Sequence, residues 1–376
     1  MASTNLTVPK PSLHDASSFM TQLLIQQQQY YCLEFLCHFR ILDLIPVRPG
    51  SASYADVAEK ANVPASRLRA VARMVMTTGF LAETAEGNVS HSEISAAFVE
   101  NTHMRVQLQH MVEQTVSLMA AFTKATELWG DSKVPNQTAY NLARGTDLPF
   151  FEHLKSRPDL SSEFDAYMKS QAVAISTSKA DHLLRGFDWM LPGTEPIVVD
   201  VGGGGGDAAV TLAKAYPHLR VIVQDQAGPI NNARGLVKTL PENISRRIEL
   251  QEHDIFQKQP VTGADVYFMR TIIHDWPDAE AITILRHLVD AMKPSSRIVL
   301  MDMVLPAPGT DSPIFEGAIR QKNLAMIQTF NAKEREAEEW QALIKAVDPR
   351  IGIRAISRPG GSLHSVIEVE FKSSNN

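Results

Sequence analysis

The stretch FMRTIIHDWPD, residues 268–278, sets a histidine, an aspartate and a tryptophan just beyond an apolar run. An imidazole with a reference pKa of about 6.5 exchanges protons at neutral pH, so His274 is a candidate general base. A second constellation precedes it. The run IVVDV leads into GGGGGDAAVTLAKAYP, where consecutive glycines let the backbone turn tightly and let a ligand lie against bare peptide. Asp225 closes the next apolar run, RVIVQD, 25 residues after Asp200, and a carboxylate there can accept both hydroxyls of a ribose. Asp254, in EHDIF, follows the third run, where an adenine amino group could be met. Arg270 closes the fourth, four residues before His274.

These residues need a scaffold that brings strand ends to one edge. From Glu195 onward, short β-rich runs alternate with helical ones: IVVDV, RVIVQD, IELQEHD, ADVYFMR and RIVLMDMVL. The alternation predicts an α/β fold, a doubly wound, Rossmann-like, mostly parallel sheet with helices on both faces. Such sheets bind ligands outside the carboxyl ends of their strands. The tail IGIRAISRPGGSLHSVIEVEF reads as strand, turn and strand. A hairpin cannot extend a parallel sheet by crossover, so the last strand must insert antiparallel. That ending fits methyltransferases better than nicotinamide dehydrogenases. The distinction matters because the glycine run parses twice. Gly203, Gly205 and Ala208 satisfy the dinucleotide fingerprint G-x-G-x-x-A, whereas Asp200, Gly202, Gly204 and Gly206 satisfy D-x-G-x-G-x-G, the loop of S-adenosylmethionine enzymes. His274 is held at the sheet's lip by a helical pattern, DAEAITILRHLVDAM. Pro277 suits its first turn, and Ile282, Leu285, Val289 and Met292 recur at helical spacing.

The first half has a different texture. Residues 1–15 read as a loose polar arm and 17–44 as helix. The run FLCHFRILDLIP is too apolar for a solvated helix, which predicts burial in the chain or against a second subunit and motivates a homodimer. Residues 55–61, a turn at Asn62-Val63-Pro64, a helix over 66–78 and a wing closed at Glu86-Gly87-Asn88 make a winged helix-turn-helix pattern. Arg67, Arg69 and Arg73 admit DNA binding, but the net charge of -6 argues against a nucleic-acid partner and favours a scaffold for dimer contacts. The expected division is 1–104 as an N-terminal, mainly helical winged-helix dimerisation domain, 105–190 as a helical linker and substrate lid, and 191–376 as the ligand-binding sheet. Cys32 and Cys37, the only cysteines, suggest neither a disulfide framework nor zinc, and no spacing of ligand residues suggests another metal. MASTNLTVPKPS lacks the pattern of a signal peptide and no apolar run reaches the ~18 residues of a membrane span, so a cytoplasmic chain without membrane contact is expected.

VDVGGGGGDAA, VQD, EHDIF, IIHDWPDAEAITIL, RIVLMDMVLP and NAKEREAEEW, in this order and spacing, resemble the class I S-adenosylmethionine-dependent O-methyltransferases. The match is to the caffeic-acid type and its fungal secondary-metabolite relatives. It covers nearly the whole chain, since the N-terminal half looks like that family's dimerisation domain. The resemblance implies S-adenosyl-L-methionine as cofactor, a small hydroxylated substrate and a homodimer. It puts Gly202, Gly204 and Gly206, in the loop that Asp200 opens, against the methionine part of the cofactor, and Asp225 on the ribose. Asp254 and Ile255 fall around the adenine, and Arg270 where the family often has a lysine. His274 falls on the general base, and Asp302 and Glu334 on the two acids that orient it. Two departures stand out: Asp302 is shorter than the glutamate common in plant enzymes, and Asn323 replaces a frequent aspartate.

A phenol with a pKa near about 10 is mostly protonated at neutral pH, so a positioned base is worth roughly 10²- to 10⁴-fold. Carboxylates behind the imidazole would fix its tautomer. Met168, Met301, Met303 and Met326 fall in segments able to close over the site, and methionine makes a pliable apolar wall. That suits an aromatic or polyketide-like acceptor, with Met168, Asn323 and Met326 as substrate candidates. The alternative is a methyltransferase-fold enzyme that uses the sulfonium as a fixed charge for dehydration or a pericyclic rearrangement. His274, Asp302 and Glu334 favour methylation; Asn323, a polar group able to activate a substrate, keeps the alternative open.

Overall fold

The computed structural model describes residues 15–174 and 182–372; apart from Asp15, the arm expected over 1–15 lies outside them. The described residues form two compact units, one of 15–130 with 139–174 and one of 131–138 with 182–372.

The second unit is built on a seven-stranded sheet. Its strands are β1 (Ile197–Val201), β2 (Arg220–Asp225), β3 (Ile248–Glu252), β4 (Val266–Arg270), β5 (Arg297–Asp302), β6 (Ile351–Ser357) and β7 (Ser365–Phe371). They lie in the order β6-β7-β5-β4-β1-β2-β3. Strands β1 to β5 pair in parallel, and β7 inserts antiparallel between β5 and β6 as the hairpin argument requires. The central strands are apolar without a break because both faces are covered. Val199, Tyr267, Met269 and Leu300 pack to one side with Leu285 and Trp340. Their strand neighbours Val198, Phe268 and Val299 pack to the other with Leu212 and Trp189.

Two local departures from expectation shape the site. RIVLMDMVL is not one strand: β5 stops at Asp302, and Val304–Leu305 pairs instead, in parallel, with Arg335–Glu336. This second pairing carries residues 334 and 335 to the end of the sheet. The helix after His274 is Asp278–Ala291, with Pro277 just before it at ψ 162°, an extended value that no helical turn contains. Its buried stripe is Ala281, Ile284, Leu285, Leu288 and Val289, so the expected stripe is rotated and Ile282 and Met292 sit at its border.

The first unit begins with the helices Ala16–His38 and Ile41–Leu44. Tyr54–Ala61, capped by Ser53, and Ala65–Met76 follow, and Leu81–Glu83, Val89–His91 and Ser51–Ala52 form a small antiparallel sheet. Gly79 leaves the second of these helices at φ +78°, where a side chain would be strained. The apolar run expected to be buried in the chain or against a second subunit is buried in the chain: Leu36, Ile41, Leu42 and Ile45 lie in this unit's own core with Val57, Leu68 and Val75. Among the large apolar side chains that the first helix leaves exposed are Phe19, Met20, Leu23, Leu24 and Ile25 near its start, and Tyr31 further on. Arg73 is engaged by Glu83 at 2.8 Å and Arg69 lies 5.0 Å over the Tyr54 ring. No helix among the described residues is long and apolar enough to cross a membrane.

Candidate active site

The glycine loop leaves β1 and returns as the helix Asp207–Ala215. Gly202 and Gly203 both donate their N–H to the Gln224 carbonyl on β2, which pins the loop to the sheet. Gly202 has φ +73°, and a Cβ there would stand 2.6 Å from Ile272 Cδ1. Gly204 has φ +57° and faces open space, with nothing within 4 Å of a would-be Cβ. A ligand can therefore lie against this backbone, before the positive end of a helix. Gly206 also has positive φ.

Two carboxylates frame the loop. Asp225, at the end of β2, accepts the Gly204 N–H at 2.8 Å on Oδ2 and the Gln226 N–H at 2.7 Å on Oδ1. Burial still raises its pKa against those two bonds. Each oxygen keeps a lone pair for a ribose hydroxyl. Asp200, on β1, is buried, with Oδ2 unpartnered among the described residues; burial pushes it up to about 7, with Arg270 pulling the other way. Asp254 is exposed and accepts the Phe256 N–H at 3.0 Å, while Ile255 is half-buried against the core.

His274 is aimed by a strained turn. Thr271, the residue after β4, takes φ +53°, a left-handed conformation that costs a β-branched side chain free energy. A single 3₁₀ turn, Ile273–Asp275, follows. His274 Nδ1 lies 2.7 Å from Glu334 Oε1. Nε2 makes no hydrogen bond among the described residues, and Asp275 Oδ1 is 3.5 Å from it. Burial alone would lower the imidazole's pKa; Asp275, the Glu334 hydrogen bond and the Asp302 charge outweigh it and push it up to about 10. Burial in turn pushes Asp275 up to about 6 and Asp302 up to about 7, against the pull of His274. Groups so close exchange protons as a set.

The structure thus brings Glu334, but not Asp302, into hydrogen-bond contact with His274. Both oxygens of Asp302 are buried and unpartnered among the described residues, as is Glu334 Oε2. Asn323, on the helix Pro313–Phe330, spends its Oδ1 on the Glu334 N–H at 3.0 Å. Met326, half-buried, follows it on the same helix. Met168 lies exposed on the helix Pro158–Ala174 of the other unit. Asp275 was missed in the sequence, although it directly follows the histidine in HDW. No group of three or more potential ligand side chains among the described residues is placed to hold a metal.

A family profile described as the O-methyltransferase domain matches residues 130–348. The chain belongs to this family. It is an S-adenosyl-L-methionine-dependent O-methyltransferase of the fungal secondary-metabolite branch. It is 53% identical over 368 residues to O-methyltransferase fsr2 of Gibberella fujikuroi, covering 98% of this chain and 95% of that protein. Among solved structures, it resembles a pericyclic reaction enzyme with a TM-score of 0.78 at 22% identity, over 96% of this chain and 91% of that one. It also resembles the O-methyltransferase NcsB1 of neocarzinostatin biosynthesis, solved with S-adenosylmethionine and 2-hydroxy-5-methyl naphthoic acid. That likeness has a TM-score of 0.72 at 24% identity, over 92% and 96% of the two chains. At these identities the structural likeness speaks for the fold. The open backbone at Gly204 and the spare lone pairs of Asp225 suit an O-methyltransferase's adenosyl donor.

Proposed function

We propose that this O-methyltransferase methylates a phenolic hydroxyl of an aromatic, polyketide-like acceptor, with His274 as general base. The observation that carries the reading is the 2.7 Å pairing of His274 Nδ1 with Glu334, which leaves Nε2 without a hydrogen bond among the described residues. Glu334 holds the ring in the tautomer with its proton on Nδ1, so Nε2 is the atom that accepts the hydroxyl's proton. When bound, S-adenosyl-L-methionine supplies the methyl group on a sulfonium whose positive charge disfavours an imidazolium beside it. That matters because the acidic surroundings alone favour the protonated ring. Asp302, raised by burial and unpartnered, is able to hold a proton within the cluster.

In this reading Gly202, Gly204 and Gly206, opened by Asp200, receive the donor's methionine part and Asp225 its ribose. Asp254 and Ile255 flank the adenine, and Arg270 balances the buried Asp200. Asn323 serves as a prop for Glu334, and Met326 and Met168 are the acceptor-side candidates. The naphthoic acid held by NcsB1 supports an aromatic acceptor. A homodimer rests now on the exposed apolar side chains of the first helix, Phe19 to Ile25, and residues 1–104 are its carrier.

A pericyclic rearrangement without methyl transfer needs no proton acceptor, whereas a dehydration would use one, so the product and not the base separates the readings. Methyl-labelled S-adenosyl-L-methionine, offered with hydroxynaphthoic acids and hydroxyanthraquinones, tests the difference. Label should enter an aryl ether, and His274→Ala should cut the rate roughly 100-fold or more. An isomerised or dehydrated product without label would overturn the proposal.

A further inference from the structure

Arg335, beside Glu334 in the KER segment, is among the largest fully buried side chains of the protein, 1% exposed. A buried guanidinium must find acceptors for its donors, and all of those it finds lie within residues 273–278. Nη1 donates to the Ile273 carbonyl at 3.2 Å, and Nη2 to the Trp276 carbonyl at 2.9 Å. Nε and Nη2 donate to Asp278 Oδ1 at 3.0 and 2.7 Å. The Trp340 ring lies 5.4 Å from the guanidinium carbon and closes the remaining side.

These acceptors bracket His274: one carbonyl directly before it, one two residues after it, and the side chain that opens the next helix. We propose that Arg335 is a positioning residue for methyl transfer. It clamps the backbone on both sides of His274 while the adjacent Glu334 clamps the imidazole, so that one two-residue segment sets both the place and the tilt of the base. The inference rests on His274 being that base.

The segment is itself anchored. Asn323 takes the Glu334 N–H, and Arg335–Glu336 pairs with Val304–Leu305, directly after β5. The turn it grips needs holding, because Thr271 enters it with a left-handed backbone and a single 3₁₀ turn has poor hydrogen-bond geometry. Lysine cannot replace this grip. Its ammonium is a point charge, whereas the guanidinium is a rigid planar fork able to reach a carboxylate and two divergent carbonyls together.

The test compares Arg335→Lys, Arg335→Met and Asp278→Asn with wild type, using histidine-labelled protein bound to S-adenosylhomocysteine and the best hydroxynaphthoic acid acceptor. The His274 Nδ1 proton should give one hydrogen-bonded resonance, assigned by its loss in Glu334→Gln. In Arg335→Lys and Arg335→Met it should broaden or move, with kcat lowered roughly 10- to 100-fold, the cost of a misplaced catalytic group. KM for both substrates should stay within about twofold of wild type. Asp278→Asn, which leaves both carbonyl contacts, should lower kcat a few-fold and carries the test should both Arg335 variants fail to fold. An unchanged His274 resonance and kcat in a folded Arg335 variant would overturn the proposal, as would losses confined to melting temperature and KM. Full activity of His274→Ala would instead sink the base assignment itself.

Discussion

The two halves of the candidate site are made differently. The loop at Gly202–Gly206 is backbone held by the neighbouring strand: two N–H groups on the Gln224 carbonyl, and one on the side-chain carboxylate that closes that strand. The His274 cluster is side chain held by side chain across a long sequence separation, 60 positions from His274 to Glu334, with Asp302 and one oxygen of Glu334 left unpaired among the described residues. In the proposed reading the first arrangement binds and the second reacts. A cradle gains from being satisfied before its ligand arrives, whereas a base must keep a partner missing.

The two halves can therefore be broken separately. The largest effect belongs to Glu334→Gln, which presents an amide to Nδ1 and favours the wrong tautomer. Turnover should fall about 10³- to 10⁴-fold, the scale for a carboxylate replaced behind a catalytic imidazole. Affinity for S-adenosylhomocysteine, read by calorimetry, should stay within about twofold. Asp225→Ala should do the reverse. Losing charge-assisted hydrogen bonds of about 1.5–3 kcal/mol weakens donor binding about 10- to 150-fold, while turnover at saturating donor changes little. Equal losses of both quantities in either variant would erase the contrast.

Gly204→Ala sharpens it from the cradle's side. Its Cβ meets no protein atom within 4 Å, but φ is +57°, so the left-handed residue costs about 1–2 kcal/mol. Donor affinity should drop, with melting temperature lowered by a few degrees.

The smallest effect concerns the cluster's unpaired acid. Burial pushes Asp302 up to about 7, above the unfolded reference of about 3.9. The stability linked to this raised pKa is fully present below about pH 4 and is lost as pH rises through about 7. Asp302→Asn removes that loss. Its melting temperature relative to wild type should therefore rise by a few degrees between about pH 5 and about pH 9, as read by calorimetry. A gap that does not change with pH would show that Asp302 finds a partner or solvent.

What the sequence disclosed follows the same divide. Strand runs, the glycine loop and the antiparallel ending depend on short apolar β-rich runs and on turn residues, and β1 to β7 fall within those runs, with β5 shorter than its run. The cluster depends on tertiary approach, and periodicity is silent about that. His274 stood out at a strand end, but Asp302 and Glu334 were named only through resemblance to a family, which could not tell that Glu334 and not Asp302 would hydrogen-bond the imidazole. The break of RIVLMDMVL at Asp302 escaped notice because Met303, Val304 and Leu305 continue an apolar run, while the chain in fact changes partners there. Asp275 and Arg335 stood in view inside HDW and KER, but a charge beside a named residue reads as solvated until its burial is known. The run from Phe35 to Ile45 left two covers open, the chain itself or a second subunit. Its apolar surface called for cover, and the cover was the rest of its own unit.

The most direct test of His274 as base varies the acceptor. Rates of methyl transfer by wild type and His274→Ala are compared across hydroxyaromatics of falling phenol pKa at one pH. If His274 accepts the hydroxyl proton, the ratio starts near roughly 10²- to 10⁴-fold for the weakest acids and shrinks toward unity for phenols already ionised. A ratio that stays constant across the series would mean that His274 places the acceptor without taking its proton.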